Sequence, residues 1–190
     1  MGPLQHQIKQ GEVYRRSDLE LYSSAIDREL AQLTNAGRLV KLSQGLYYSP
    51  LHSKFGAVPP DDQKLVAKVL KNENFLMVSP NAFNSLGLGL TQLYNTVWVY
   101  NHKKVGEFRY QDKSIEFKRR SVFPKTVTQE FLLVDLLDGI EQLTEDPDMV
   151  LSNLRNNIAG WYSPALLAAA QQYGSGKTRK LIRSLVSTDH

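Results

Sequence analysis

Side chains that can read a base edge or hold a phosphate group are concentrated between residues 15 and 44 of this 190-residue chain. Arg28 carries a guanidinium fork that matches the two acceptors of guanine, and Gln32, one helical turn later, suits adenine. Ser23 and Ser24 would lie at the start of a helix, where hydroxyls and backbone amides favour phosphate. The pattern predicts an interface for double-stranded DNA, to which five flanking residues would add contacts: Arg15, Arg16, Lys41, Ser43 and Gln44.

The elements that must position these residues follow the order of a winged helix-turn-helix. After a short helical turn at residues 19–21, Ile26, Leu30 and Leu33 mark one face of a second helix that ends near residue 36. Two predicted strands then flank a tight turn at residues 43–45. In such a motif the second helix enters the major groove and the strand hairpin, the wing, lies along the phosphates or the minor groove. We therefore expect DNA to contact the second helix and the wing.

The remainder of the chain predicts a second, larger domain. Residues 51–60 are interpreted as a linker because of their glycine and prolines, and alternating helix and strand patterns extend to about residue 125. From about Thr128 the pattern is helical, in about four helices. The predicted fold class is α+β, with a winged helix-turn-helix domain at residues 1–52 and a mixed α/β, then helical, domain at residues 53–190.

Charge is distributed unevenly along the chain, whose formal net charge is +4. Residues 1–50 hold 6 basic and 5 acidic side chains, residues 51–124 hold 11 and 6, and residues 125–190 hold 6 and 8. The basic middle contains two clusters near a predicted hairpin. If this hairpin lies beside the winged helix, the clusters extend the phosphate-binding surface; a solvated loop is the alternative. The residues of this secondary basic patch are Lys103, Lys104, Lys118, Arg119 and Arg120.

Two segments resemble enzyme motifs without the context that those motifs require. Residues 174–178 resemble the end of a phosphate-binding loop, but Gln171 replaces the first glycine and a helix precedes them, which favours a helix end followed by a helix start. Asp112, Glu116 and Lys118 have the order of a metal-dependent nuclease motif, yet Asp112 lies in a predicted turn. We therefore predict a protein that is not an enzyme, with no catalytic residues, metal or cofactor, and retain a nuclease as the weakest alternative.

Composition is typical of an intracellular globular protein. The chain contains no cysteine, which excludes disulfides and thiolate metal sites. No apolar run approaches the ~20 residues that span a bilayer, and the first ten residues lack the apolar core of a signal peptide. The expected location is the cytoplasm, without a membrane partner.

The first half of the chain resembles a known family, the AbiEi-type antitoxins. Four segments resemble the winged-helix domain of that family: residues 11–14 (GEVY), 18–19 (DL), 30–33 (LAQL) and 37–39 (GRL). Residues 45–48 (GLYY) with Pro50 are similar to the family's wing. Further segments resemble the start of the second domain in one subgroup: Phe55-Gly56, Pro59-Pro60, residues 81–88 (NAFNSLGL) and Thr91-Gln92.

The resemblance implies a bacterial type IV toxin–antitoxin system. In that family the N-terminal domain binds inverted repeats in its own promoter and represses the operon, and the C-terminal region supports repression and antitoxicity. A nucleotidyltransferase-like toxin is the functional partner, which the antitoxin generally opposes without a stable complex. The predicted contacts from Arg15 to Gln44 match where the family contacts DNA. The alternative is a protein-binding adaptor whose winged helix or C-terminal domain contacts a partner, the toxin included.

Overall fold

The computed structural model describes residues 3–187, which divide into two compact units between Glu73 and Asn74. This boundary falls later than the one predicted after residue 52. The difference arises because the helix at residues 62–70, assigned by sequence to the second domain, packs against the first strand of the N-terminal unit. Both units combine helices with sheets, so the protein belongs to the α+β class.

The N-terminal unit contains three α-helices and five strands among its described residues. In chain order its elements are a 3-10 helix (Pro3–His6), β1 (Val13–Arg15), α1 (Arg16–Leu19), a 3-10 helix (Glu20–Tyr22), α2 (Ile26–Asn35), β2 (Val40–Ser43), β3 (Leu46–Tyr48), β4 (Leu51–Ser53), β5 (Gly56–Val58) and α3 (Asp62–Leu70). The helical turn predicted at residues 19–21 thus begins earlier, at Arg16.

A three-stranded antiparallel sheet, in the order β1-β3-β2, organises this unit. Apolar residues of α1, α2 and the first 3-10 helix form a buried core, and Tyr14 and Tyr47 pack against it from the sheet. The helix α3 lies against β1. As predicted, α2 ends before Gly37, whose positive φ of 69° lets the backbone amides of Arg38 and Leu39 return to the carbonyl of Leu33.

Residues 51–58, predicted as a linker, form the antiparallel hairpin β4–β5. Its turn is closed by Ser53, whose hydroxyl accepts from the amide of Phe55 and donates to the carbonyl of Gly56. The base is held by Tyr48, whose hydroxyl donates to the carbonyl of Val58 at 2.8 Å. Every residue of the two strands is exposed, so the hairpin lacks the alternation of buried and exposed residues that identifies a strand from sequence.

The C-terminal unit consists of a four-stranded sheet followed by helices. Its elements are β6 (Leu76–Val78), a 3-10 helix (Pro80–Leu86), β7 (Thr96–Asn101), β8 (Gly106–Tyr110), β9 (Lys113–Arg119), α4 (Gln129–Gly139), a 3-10 helix (Ile140–Gln142), α5 (Pro147–Asn156), α6 (Ile158–Trp161), α7 (Pro164–Tyr173) and α8 (Gly176–Ser187). Sequence predicted about four helices after Thr128; the described residues form five α-helices because the four-residue α6 is separate.

The sheet of this unit has the order β6-β7-β9-β8, with β7 and β9 parallel and the outer pairs antiparallel. Trp98 and Tyr100 on β7 contribute to the main core together with nearly the whole of α4, from Phe131 to Leu137. The side chains of Thr128 and Ser163 cap the starts of α4 and α7. Within residues 3–187, none of the helices combines the length and the apolar composition needed to cross a membrane.

Candidate nucleic-acid interface

The helix α2 has one buried and one exposed face. Ile26, Leu30 and Leu33 are buried in the core of the N-terminal unit. On the other side Arg28 and Gln32 are exposed one turn apart, where α-helical geometry aligns their side chains along the axis. This face therefore presents the two residues that the sequence predicts as base-reading groups.

The start of α2 differs from the predicted arrangement of Ser23 and Ser24. The residue that caps the helix is Ala25, which has no capping side chain. The hydroxyl of Ser23 donates to Oε1 of Glu29 at 2.6 Å and accepts from the amide of Ala25, whereas Ser24 is exposed. Of the two predicted phosphate donors, only Ser24 thus faces solvent.

Glu29 explains why Ser23 points inward. Although it is acidic, it lies on the buried face of α2 with 6% of its surface exposed. Its carboxylate accepts from the Ser23 hydroxyl and from the backbone amide of Leu4. The hydrogen bond from Ser23 lowers the pKa of Glu29, against the opposing effect of desolvation. One buried carboxylate therefore links α2 to the two segments that precede it.

Arg16 is held by two carboxylates at the same end of α2. Its Nε and Nη2 donate to the two oxygens of Asp27 at 2.8 and 2.9 Å, and its Nη1 donates to Glu20 at 2.7 Å. The hydrogen bond with Asp27 lowers the pKa of that carboxyl and raises the pKa of Arg16. The guanidinium predicted to contact phosphate is thus bound within the protein, by residues that the sequence analysis did not select.

The turn between β2 and β3, predicted as the tip of a wing, lies beside this ion-pair cluster. Lys41, Ser43 and Gln44 are exposed, as predicted. Gly45 closes the turn with a φ of 68°, and its carbonyl accepts from the backbone amide of Arg16 at 2.9 Å. This bond joins the β2–β3 turn to the first residue of α1, so the structure brings that turn, Arg16 and the start of α2 together.

Arg15 does not join that surface. It follows Tyr14 in β1, so its side chain lies on the opposite face of the sheet from the Tyr14 ring. There Arg15 lines a cleft with Lys68 of α3 and with Lys71, the residue that follows this helix. The two neighbouring arginines, predicted as a pair, therefore belong to different surfaces of the N-terminal unit.

The predicted secondary basic patch is not one exposed basic surface. Arg120 is largely buried and pairs with Asp135 at 2.5 Å and Asp138 at 3.3 Å. The Nζ of Lys118 lies 3.4 Å from the ring centroid of Trp98 and donates to Gln142, and burial lowers the pKa of this lysine. Arg119 is exposed, as are Lys103 and Lys104, although the ammonium of Lys104 lies 5.4 Å from the ring centroid of Phe117.

Arg120 instead belongs to a buried polar network that the sequence did not reveal. Asp135, 2% exposed, accepts from the hydroxyl of Tyr100 and from Arg120. Burial raises the pKa of Asp135 and also that of Tyr100. Arg120 also donates to the carbonyl of Tyr173 at 2.6 Å, which connects the end of β9 to the end of α7. These polar groups thus bond to one another inside the C-terminal unit.

The two segments that resemble enzyme motifs do not form the sites that those motifs require. Asp112 and Glu116 line different surface depressions, and the described residues contain no group of three or more histidine, aspartate or glutamate side chains suited to a metal. Residues 174–178 form a helix end and a helix start, as predicted: Gly174 follows α7, and the hydroxyl of Ser175 accepts from the amide of Thr178.

Comparison with known proteins finds a similar fold but gives no information about function. No family model matches the sequence, and no curated protein matches it. A solved structure, the RV2827C protein from Mycobacterium tuberculosis, superposes with a TM-score of 0.56 at 14% sequence identity, covering 93% of this chain and 72% of that one. At this identity the similarity shows a shared fold alone.

Proposed function

We propose that the N-terminal unit is a winged helix that binds double-stranded DNA. The order of its elements supports this: α1, the 3-10 helix and α2 are followed by the β2–β3 hairpin, and β1 closes the sheet in the order β1-β3-β2. In this interpretation α2 is the recognition helix and the turn at residues 43–45 is the tip of the wing.

The observation that carries the proposal is the exposed face of α2. Arg28 and Gln32 stand one turn apart on it, opposite a fully buried apolar face. Arginine bidentate to guanine and glutamine to adenine are each worth about 1–3 kcal/mol of discrimination in the major groove. Ser24, Lys41, Ser43 and Gln44 add exposed groups for phosphate contacts.

From the family resemblance we further propose a repressor that acts as the antitoxin of a type IV, AbiE-like toxin–antitoxin system and regulates its own operon. The inverted repeats of its promoter would be the DNA partner, and the nucleotidyltransferase-like toxin the functional partner. The C-terminal unit, with its own sheet and core, would supply the part that antitoxicity needs.

A gel-shift titration tests DNA binding, using the purified chain and the DNA upstream of its gene, at two salt concentrations with random DNA as competitor. We expect specific binding that salt weakens and that Arg28→Ala reduces by about tenfold or more. Arg38→Ala, at an exposed arginine three residues beyond the end of α2, is the matched control. If the wild-type chain binds no DNA at low salt, the proposal is wrong.

A protein-binding adaptor is the second candidate, favoured by the β4–β5 hairpin. Phe55 at its tip is 99% exposed, and Leu51 at its base is 44% exposed. Large apolar side chains in this position are typical of contact sites for another protein. An adaptor would co-elute with the co-expressed neighbouring gene product in size-exclusion chromatography and lose that partner on Phe55→Ser but not on Arg28→Ala.

A further inference from the structure

A cleft of the N-terminal unit is lined by Arg15, whose guanidinium has a buried nitrogen without an acceptor. The cleft has a volume of about 590 Å³ and lies between the start of α1 and the end of α3. Among residues 3–187, Nη1 of Arg15 is the buried side-chain nitrogen or oxygen for which no hydrogen-bond partner is present. Buried donors are almost always paired, and an unpaired one on a charged group is especially unfavourable. Such a group indicates a ligand.

Asp18 lines the same cleft, and one oxygen of its carboxylate is engaged by other donors. Oδ2 of Asp18 accepts from the backbone amide of Arg15 at 3.3 Å and from Nζ of Lys68 at 2.9 Å. These bonds fix Asp18 at the first turn of α1, and hydrogen bonding with Lys68 contributes to lowering its pKa against the desolvation that would raise it. Asp18 makes no hydrogen bond to Arg15 Nη1, which leaves this nitrogen without an acceptor from the chain.

The charges that line the cleft define the class of ligand. Three cations, Arg15, Lys68 and Lys71, face two carboxylates, Asp18 and Glu73, so the lining is net positive. Lys68 lies in the last turn of α3, Lys71 is the residue that follows the helix, and both line the cleft. A guanidinium fork binds oxyanions through paired hydrogen bonds, and lysine binds phosphate as a point charge. A tetrahedral anion has enough oxygens to reach all three cations, which a single carboxylate does not.

We propose that this cleft is a binding site for a phosphate group, with Arg15 as its main ligand and Lys68 and Lys71 as supporting cations. The inference goes beyond the proposed function, because it holds whether or not the N-terminal unit binds DNA. The phosphate has two possible sources, a free phosphate compound or the backbone of a nucleic acid, and both would use the same three side chains.

Inorganic phosphate and pyrophosphate are the probes, titrated into the full chain against sodium chloride of equal ionic strength. Thermal unfolding and amide NMR shifts of the cleft residues are the readouts, because a ligand that binds the folded state raises the melting temperature with its concentration. Arg15→Met removes the donor and keeps the apolar stem. We expect it to weaken phosphate binding about tenfold or more, and to leave the melting temperature without phosphate unchanged or higher. If Arg15 had a purely structural role, its replacement would instead lower the melting temperature of the protein without phosphate.

Lys54→Met provides the matched control, because it removes one positive charge from the exposed β4–β5 turn. Lys71→Gln is a second cleft variant, at an exposed residue directly after α3. It provides the test if Arg15→Met does not fold. If both cleft variants respond to phosphate as the wild type and Lys54→Met do, the proposed site is wrong.

DNA binding of the same variants distinguishes the sources. If Arg15→Met weakens DNA binding and reduces the salt slope by about 0.9, the cleft holds a backbone phosphate. If it abolishes phosphate binding but binds DNA as the wild type does, the ligand is a free phosphate compound. A wild-type chain that binds phosphate but no DNA would contradict the proposed function and leave the phosphate site supported.

Discussion

Asp27 and Arg16 form a bidentate ion pair at the start of α2, with N–O distances of 2.8 and 2.9 Å. The geometry is that of an arginine bound to a phosphate, with the carboxylate in the place of the anion. Glu20 adds a second carboxylate to the same guanidinium. At the end of the helix that we propose to read DNA, two acids therefore compete with the duplex for one arginine.

Replacing Asp27 by asparagine should strengthen DNA binding. The substitution frees Arg16 for a phosphate and removes a negative charge from the exposed face of α2. We expect affinity for the operator to rise roughly two- to tenfold and the slope of log affinity against log salt to steepen by about 0.9. Stability should change little because the pair is exposed.

Fluorescence anisotropy at several salt concentrations measures both quantities. Asp148→Asn, exposed on α5 of the C-terminal unit, makes the same charge change away from the helix. Equal effects of the two variants would mean that net charge alone matters and that Arg16 is not a DNA contact.

Glu29→Gln should destabilise the N-terminal unit at neutral pH. The Ser23 hydroxyl holds the folded-state pKa of Glu29 below its ordinary value of 4.5. A lowered folded pKa contributes stability that is present above the unfolded value and is lost as pH falls through the folded value. The difference in unfolding free energy between wild type and variant should therefore be constant near pH 7 and shrink below about pH 4.5.

Urea denaturation from pH 7 to pH 3 measures that difference. Glu73→Gln, an exposed carboxylate at the end of the N-terminal unit, is the control. A gap between wild type and Glu29→Gln that does not change with pH would show that the charge of Glu29 is not what its two donors stabilise.

Local patterns predicted the elements of the N-terminal unit that have a buried face. The apolar spacing of Ile26, Leu30 and Leu33 predicted α2, and the glycine after it predicted its end. The sequence did not predict the β4–β5 hairpin because none of the residues in its strands is buried. A strand that contributes nothing to the core shows no alternation of apolar and polar residues.

The electrostatics of the candidate interface could not be predicted in the same way. Arg16 and Asp27 are 11 residues apart, and no helical or strand repeat relates them. The separation of Arg15 from Arg16 follows from β1, which ends at Arg15. Arg15 therefore lies on the face of the strand opposite Tyr14, whereas Arg16 is the first residue of α1.

Breaking the buried pair of Arg120 and Asp135 should destabilise the C-terminal unit strongly. Asp135→Asn removes the charge that Arg120 faces, and loss of one partner of a buried ion pair costs about 3–5 kcal/mol. Because Arg120 also holds the carbonyl of Tyr173, we expect the end of α7 to lose protection from hydrogen exchange first.

A double-mutant cycle with Arg120→Met and Asp135→Leu separates the pair from its surroundings. The double variant should be more stable than either single variant, because it leaves no unpaired buried charge. If the single-variant effects simply add, the two residues stabilise the unit independently.

Gly45→Ala tests the connection between the β2–β3 turn, the proposed wing, and α1. Gly45 has a φ of 68°, and a Cβ there would meet the Cβ of Arg16 at 3.9 Å, an ordinary contact. The cost is therefore conformational, about 1–2 kcal/mol for an alanine in the left-handed region. Strain at this position should also weaken the hydrogen bond from the amide of Arg16 to the carbonyl of Gly45 and displace the wing.

Chemical denaturation and DNA affinity are measured together for this variant. Gly160→Ala is the control. Gly160 lies in the helix α6, and a Cβ added there would meet no atom within 4 Å. An alanine at this position should be neutral or stabilising by about 0.5–1 kcal/mol. We expect Gly45→Ala to lose both stability and operator affinity. If it loses stability and keeps full affinity, the wing does not contact DNA, and binding rests on α2 alone.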